Sequence, residues 1–187
     1  MIIKTGRFGQ VTVTDDAQII VPQGLLGFPE LTKYFLVDPQ DDTLILWLQS
    51  LDKPELCFPV LEPKIFKPDY IVKLSALELR ELKLEKASGA IVLSILTIPE
   101  DVTKMTANLK APVVINLNEK TAKQVVLQEN EFVIKHQMFK ELRTHLLTIQ
   151  SQQQKTAKSP EPMLAESIRA VSLKTLFPSS AIRGLSN

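Results

Sequence analysis

A chain of 187 residues with 44% hydrophobic and 23% charged residues has the balance of one globular domain with a sizeable core, which excludes the disordered and fibrous classes. A net charge of +1 gives the whole chain no nucleic-acid or membrane signature, and the single cysteine, Cys57, excludes an intrachain disulfide and suits a reducing compartment. The start, MIIKTGRFGQ, lacks the apolar stretch of a signal peptide, and the longest apolar run, residues 90–98, is about half of a membrane span, so a soluble, cytoplasmic protein is expected.

In chain order, short β-branched or aromatic runs alternate with turn signals. QVTV, AQIIV, KYFLV, LILWLQS, LCFPVLE, YIVKL, AIVLSILTI, PVVINL and KQVVLQ read as strands, separated by TDDA, PQGLLGFPE, DPQDD, DKPE, EPKIFKPD and NEKTAK. That spacing predicts a mainly β fold, a small antiparallel β-barrel-like or sandwich domain. Gly24 and Gly27 precede no helix and fit turn duty. Ser75 followed by Glu78 is a capping-box signature that opens a short helix over 75–85.

The character changes after Gln137. Phe139, Leu142, Leu146 and Ile149 fall on one helical stripe, residues 151–160 read as a polar linker, and Ser159-Pro160-Glu161 signals a second helix with Leu164, Ile168 and Val171 on its stripe. The expected organisation is therefore a β domain over 1–137 and a helical extension over 138–187. Residues 1–136 hold 15 basic against 18 acidic residues, whereas 137–187 hold 7 against 3. A mildly acidic body carries a basic tail.

Catalytic material is sparse. His136 and His145 have no cysteine or carboxylate at ligand spacing, so zinc and iron sites are not supported and no metal or cofactor is expected. There is no Gly-rich phosphate loop and no nucleophile elbow. The pairs Asp15–Asp16, Asp41–Asp42 and Glu100–Asp101 sit in turn-like sequence, which favours solvated turns over acid–base work. Cys57 between Leu56 and Phe58 reads as a buried, inert thiol. The sequence argues against an enzyme.

Binding fits better. Within LWLQSLDKPELCFP, period two puts Trp47 and Gln49 on one strand face and Leu46 and Leu48 on the other. Trp47 is either a core residue or an interface anchor. Around it Asp38, Asp41, Asp42, Asp52 and Glu55 form an acidic strip in which Lys53 is the one base, suited to a basic protein partner and repelling RNA. In TANLKAPVVIN, Pro112 forces Ala111 extended and removes a ladder donor. Asn108 and Asn116 read as clamps on backbone groups where this strand enters and leaves the sheet, with direct partner contact as the alternative.

Five motifs in order, VPQGLLGFPELTKYFLV, LWLQSLDKPELCFPVLEP, KPDY, TIPEDVTKMTANLKAPVVINLNEKTAKQVVL and FVIKHQM, make the chain from Ile2 to Gln137 resemble the flagellar assembly factor (FliW) family. The resemblance implies a small, non-enzymatic, cytoplasmic β-barrel-like protein. It also implies two protein partners: the RNA-binding translational repressor CsrA, which it antagonises, and flagellin, which occupies it in a partner switch. Asn108, Pro112 and Asn116 lie on that family's NLxAP…IN signature. Ala122 stands near a position where the family usually has glycine, from which a re-routed hairpin is expected. The tail lies beyond the resemblance; docking on the acidic body or joining two copies as a homodimer are its expected uses. A nucleic-acid-binding barrel and a ligand-binding or hydrolytic barrel are the competing readings. The net acidic body, without bases interleaved with aromatics, weighs against the first, and the second needs a pocket of convergent polar groups.

Overall fold

A computed structural model describes residues 1–40 and 43–156, with side chains up to Thr148. The second helix expected from Ser159, with Leu164, Ile168 and Val171, lies outside the described residues, as do Asp41 and Asp42.

The chain opens with a hairpin, β1 (Ile2–Thr5) and β2 (Gly9–Thr12), then runs through β3 (Ile19–Ile20), β4 (Lys33–Val37), β5 (Leu46–Ser50) and β6 (Cys57–Leu61). A crossover carrying helix α1 (Ala76–Glu81) leads to β7 (Ile91–Thr97), β8 (Thr106–Ala107), β9 (Val113–Asn116), β10 (Thr121–Gln124), β11 (His136–Gln137) and helix α2 (Phe139–Thr156). Strands β3 to β7 pair in sequence, β10 pairs with both β3 and β9, and β9 pairs back onto β7, so seven strands close a barrel. Strand direction can alternate around a closed ring only when the strand number is even. With seven, one pairing has to be parallel, and it is β3 with β10. The expected antiparallel barrel is thus antiparallel everywhere except at that seam.

Three apolar clusters follow from the two-residue period. Tyr34, Leu36, Leu46, Leu48, Leu93, Val113 and Ile115 point inward and fill the barrel. On the outside of β4 and β5, Phe35, Val37 and Trp47 are covered by the β1–β2 hairpin. On the outside of β7 and β9, Val92 and Val114 are roofed by the crossover, the 125–134 segment and the first turn of α2. The capping box at α1 is present in full: Ser75 Oγ accepts from Glu78 N at 3.3 Å, and the Glu78 carboxylate accepts from Ser75 N at 2.7 Å. Gly24 holds φ +65°, and a Cβ there would lie 2.3 Å from the Phe28 carbonyl oxygen, so this turn admits glycine alone.

Several expectations are corrected. YIVKL, residues 70–74, is not part of a ladder; the Tyr70 hydroxyl donates to the Leu109 carbonyl at 2.7 Å and draws the segment across the barrel's outer face. The β9–β10 turn puts its positive φ at Lys120, while Ala122 is an ordinary strand residue facing the barrel interior. Helix α2 continues to Thr156, because the glutamines expected to form a linker are good helix formers. Met138 is 0% and Leu142 9% exposed, both inside the outer core, so the first turn of α2 packs on the barrel.

Two buried tyrosines give opposite tests. The Tyr34 hydroxyl has no hydrogen-bond partner among the described residues, so Tyr34→Phe removes a desolvated polar group and leaves stability unchanged or raised. Tyr70→Phe orphans the Leu109 carbonyl and should cost about 1–3 kcal/mol in denaturant unfolding. Burial, then the charges of Asp52 and Glu30, push the Tyr34 hydroxyl up to about 12. A raised acid binds its proton more tightly when folded, so its contribution is intact below about pH 10 and is lost as pH rises towards 12. Tyr34→Phe should therefore flatten the alkaline loss of stability over that window.

Candidate protein-interaction site

Trp47 lies on the outer face of β5, opposite Pro59 of β6 and Val37 of β4. The β1–β2 turn crosses over it. Thr5 Oγ1 accepts from Phe8 N at 2.9 Å and donates to the Gly9 carbonyl at 3.1 Å, which tightens the turn. Phe8 meets the indole edge-on at 5.8 Å between centroids, and the Arg7 guanidinium sits 3.7 Å from the indole centroid. That contact is a cation–π interaction of about 0.5–1 kcal/mol at an exposed site. Trp47 is half-buried: its inner edge packs with Val11, Val13 and Phe35, and its outer part belongs to the surface.

Gln49 follows two residues on, as period two requires, but it offers nothing to solvent. It is 0% exposed, and its amide nitrogen lies 3.0, 2.9 and 2.9 Å from the carbonyl oxygens of Ser50, Pro54 and Leu56. Three converging carbonyls fix which end of the amide faces them. Gln49 is the internal clamp of the β5–β6 loop, and in this structure its side chain lies beneath the surface that Trp47 reaches. The Pro54 carbonyl also accepts from Gly6 N at 3.1 Å, and a Cβ on Gly6 would stand 3.2 Å from Glu55 Cα. The loop and the hairpin turn over Trp47 are thereby one construction.

The acidic strip divides by role. Asp52 Oδ2 accepts from Thr32 N at 2.7 Å and Lys33 N at 2.9 Å, tying the loop to the entry of β4. Asp38 Oδ1 accepts from Gln40 N at 2.8 Å and holds a tight turn. Glu55 is exposed, and its side chain makes no hydrogen bond or ion pair among the described residues. Of the three described carboxylates it is the one whose charge is uncommitted. Cys57, beside Gln49 in the β5–β6 ladder, has its thiol pushed up by burial, with Arg7 opposing, which suits an inert thiol.

Asn108 and Asn116 are set away from this surface, as clamps. Asn108 Oδ1 accepts from Ala111 N at 2.9 Å just before Pro112. Asn116 Nδ2 donates to the Leu82 and Lys83 carbonyls at 2.9 and 3.1 Å, and its Oδ1 accepts from Asn118 N at 3.1 Å. Asn116 is 4% exposed; it fastens the end of α1 to the β9–β10 hairpin. The structure brings together Trp47, Gln49, Asp52 and Glu55, and adds Arg7 and Phe8. Those two were missed because they come from a hairpin distant in sequence; the Gly-Arg-Phe-Gly turn of residues 6–9 was the available signal.

No group of histidine, cysteine and carboxylate side chains that could hold a metal ion occurs among the described residues, and no described helix is long and apolar enough to cross a membrane. The class defined is a closed, odd-stranded β-barrel that carries an aromatic and charged group, Arg7, Phe8 and Trp47, on its outer face. A family model described as FliW protein matches residues 2–138. The chain is 45% identical over 147 residues to the flagellar assembly factor FliW of Bdellovibrio bacteriovorus, covering 79% of this chain and 84% of that protein. Its identity to the FliW of Geobacter sulfurreducens is 37% over 139 residues, 74% of this chain and 87% of that one. A crystal structure of the flagellar assembly factor FliW superposes with a TM-score of 0.70 at 30% identity, covering 74% of this chain and 97% of that one. The chain belongs to the FliW family of flagellar assembly factors.

Trp47 is the one tryptophan of the chain and reports on its own cover. Arg7→Ala should red-shift its emission and increase quenching by iodide, with Arg7→Lys intermediate, and should change stability by no more than about 1 kcal/mol. Unchanged emission and quenching would mean that the guanidinium does not cover the indole in solution.

Proposed function

We propose that this protein is a non-enzymatic regulator in the cytoplasm that binds the RNA-binding repressor CsrA through the face around Trp47, and binds flagellin in a partner switch. Membership of the FliW family over residues 2–138 carries the reading. The family reading is supported by the surface: a half-buried tryptophan is the type of residue on which interfaces concentrate their energy, and the acidic excess of residues 1–136, 18 acidic against 15 basic, disfavours RNA and favours the basic surface of an RNA binder. Occupation by flagellin would leave CsrA free to repress; vacancy would let this protein lower CsrA's affinity for RNA.

Charge and shape are separable here because Asp52 ties down a loop while Glu55 does not. Asp41→Asn, Asp42→Asn and Glu55→Gln combined, with Asp52 intact, should slow association with CsrA, flatten its salt dependence and leave the fold unchanged. Equal on-rates at low salt would remove these carboxylates from the reading. In an RNA gel shift, the protein alone should not retard RNA but should weaken the CsrA–RNA complex; retardation by the protein alone would favour a nucleic-acid-binding barrel.

The basic tail is proposed to dock on the acidic body, within a chain or across a homodimer. Since Met138 and Leu142 lie in the core, the informative truncation removes residues 157–187. That protein should fold, with an altered oligomeric state or partner affinity. Identical behaviour to the full chain would deny the tail this role.

A further inference from the structure

The YIVKL stretch has the composition of a strand and lies in the fold without a partner strand. From Ile71 to Leu74 no main-chain N–H or C=O makes a hydrogen bond to any described residue. Yet the segment is held at both ends: the Tyr70 hydroxyl is bonded to the Leu109 carbonyl, and Ser75 is the N-cap of α1. Between these anchors burial alternates. Tyr70 is buried, Ile71 63% exposed, Val72 half-buried, Lys73 exposed and Leu74 half-buried, the two-residue pattern of extended chain.

Beside it runs an apolar groove of about 440 Å³, whose lining includes Tyr70, Val72, Leu74, Ala90, Val92 and Val114. Glu62 and Lys64 also line it, one charge of each sign, so charge does not select an occupant. The groove is lined mainly by apolar side chains; its polar ones are Glu62, Lys64, Ser88 and Tyr70, whose hydroxyl is committed to the Leu109 carbonyl. It does offer a row of unpaired backbone groups, the template to which a further strand adds. The tail of this chain has a helical rather than a two-residue apolar pattern over 164–171, so it is not the natural occupant.

We propose that residues 71–74 form a receiving edge for an extended peptide segment of a partner protein. The guest pairs through its main chain and places apolar side chains at alternate positions into the groove. This inference is independent of the Trp47 face and of which partner binds there.

A direct probe is the synthetic octapeptide Lys-Val-Thr-Val-Thr-Val-Thr-Lys titrated into the 15N-labelled full chain. Amide resonances of residues 71–74 and 90–92 should shift, and Ala90→Phe, which fills the groove, should abolish the shifts while leaving the rest of the spectrum in place. Because a strand edge pairs with every second residue of its guest, peptides N-methylated at odd or at even positions should behave oppositely, one binding and one not. No shifts at millimolar peptide, or equal binding of both N-methylated forms, overturns the proposal. Concentration-dependent protection of the 71–74 amides without peptide would also overturn it, by making a second copy of the chain the occupant.

Discussion

Seven strands cannot close a ring with every neighbour antiparallel, and that constraint organises the molecule. The parallel seam it forces between β3 and β10 is slight: one pair in register, Thr121 with Ile20, and Ile20 N donating to the Lys120 carbonyl at 2.8 Å. Side chains and turns complete what the ladder does not. Gln124 Oε1 accepts from Leu26 N at 2.8 Å while its Nε2 donates to the Ala111 carbonyl at 2.9 Å, so one amide bridges the 22–28 loop and the entry to β9 across the seam. The Gly24 turn lets that loop fold back tightly enough to be reached. The positive φ at Lys120 lets the β9–β10 hairpin present its carbonyl to Ile20.

Closure places β4, β5 and β6 side by side with one face inward and one outward, and the contact surface grows from the outward face. Its precision comes from polar groups that the surface does not show. A neutral hydrogen bond contributes about 1 kcal/mol net, but a buried carbonyl left without its donor costs about 1–3 kcal/mol. Gln49 gathers the Ser50, Pro54 and Leu56 carbonyls around one amide nitrogen from the barrel wall, while Gly6 N and Ser50 N also donate to the Pro54 and Leu56 carbonyls, so the β5–β6 loop is held by several shared bonds. Arg7 over Trp47 adds little stability by comparison. Its effect is to set how much of the indole is open to solvent.

Much of the barrel was legible because its strands obey period two. The inward and outward sets of β5, Leu46 and Leu48 against Trp47, follow from alternation alone, and Ser75 with Glu78 marked α1 by mechanism. Asn108 and Asn116 were readable as clamps because an asparagine side chain at a strand terminus readily hydrogen-bonds nearby backbone groups. Alternation puts Gln49 on the outer face with Trp47, but whether that direction leads to solvent depends on the loop folding over it, and here the loop buries it. Arg7 escaped because its partnership with Trp47 spans forty residues of sequence and no local pattern encodes such a contact. YIVKL was called a strand on composition. Whether a segment finds a ladder is a property of the whole fold.

The proposed docking of CsrA on the Trp47 face can be observed at the tryptophan itself. Its most direct measurement is the indole N–H resonance of this single tryptophan, followed by nuclear magnetic resonance while unlabelled CsrA is added to saturation. Docking on this face requires the indole signal to shift or broaden together with the Glu55 and Arg7 amides. An indole signal unmoved at saturation, while resonances elsewhere on the barrel respond, would contradict it.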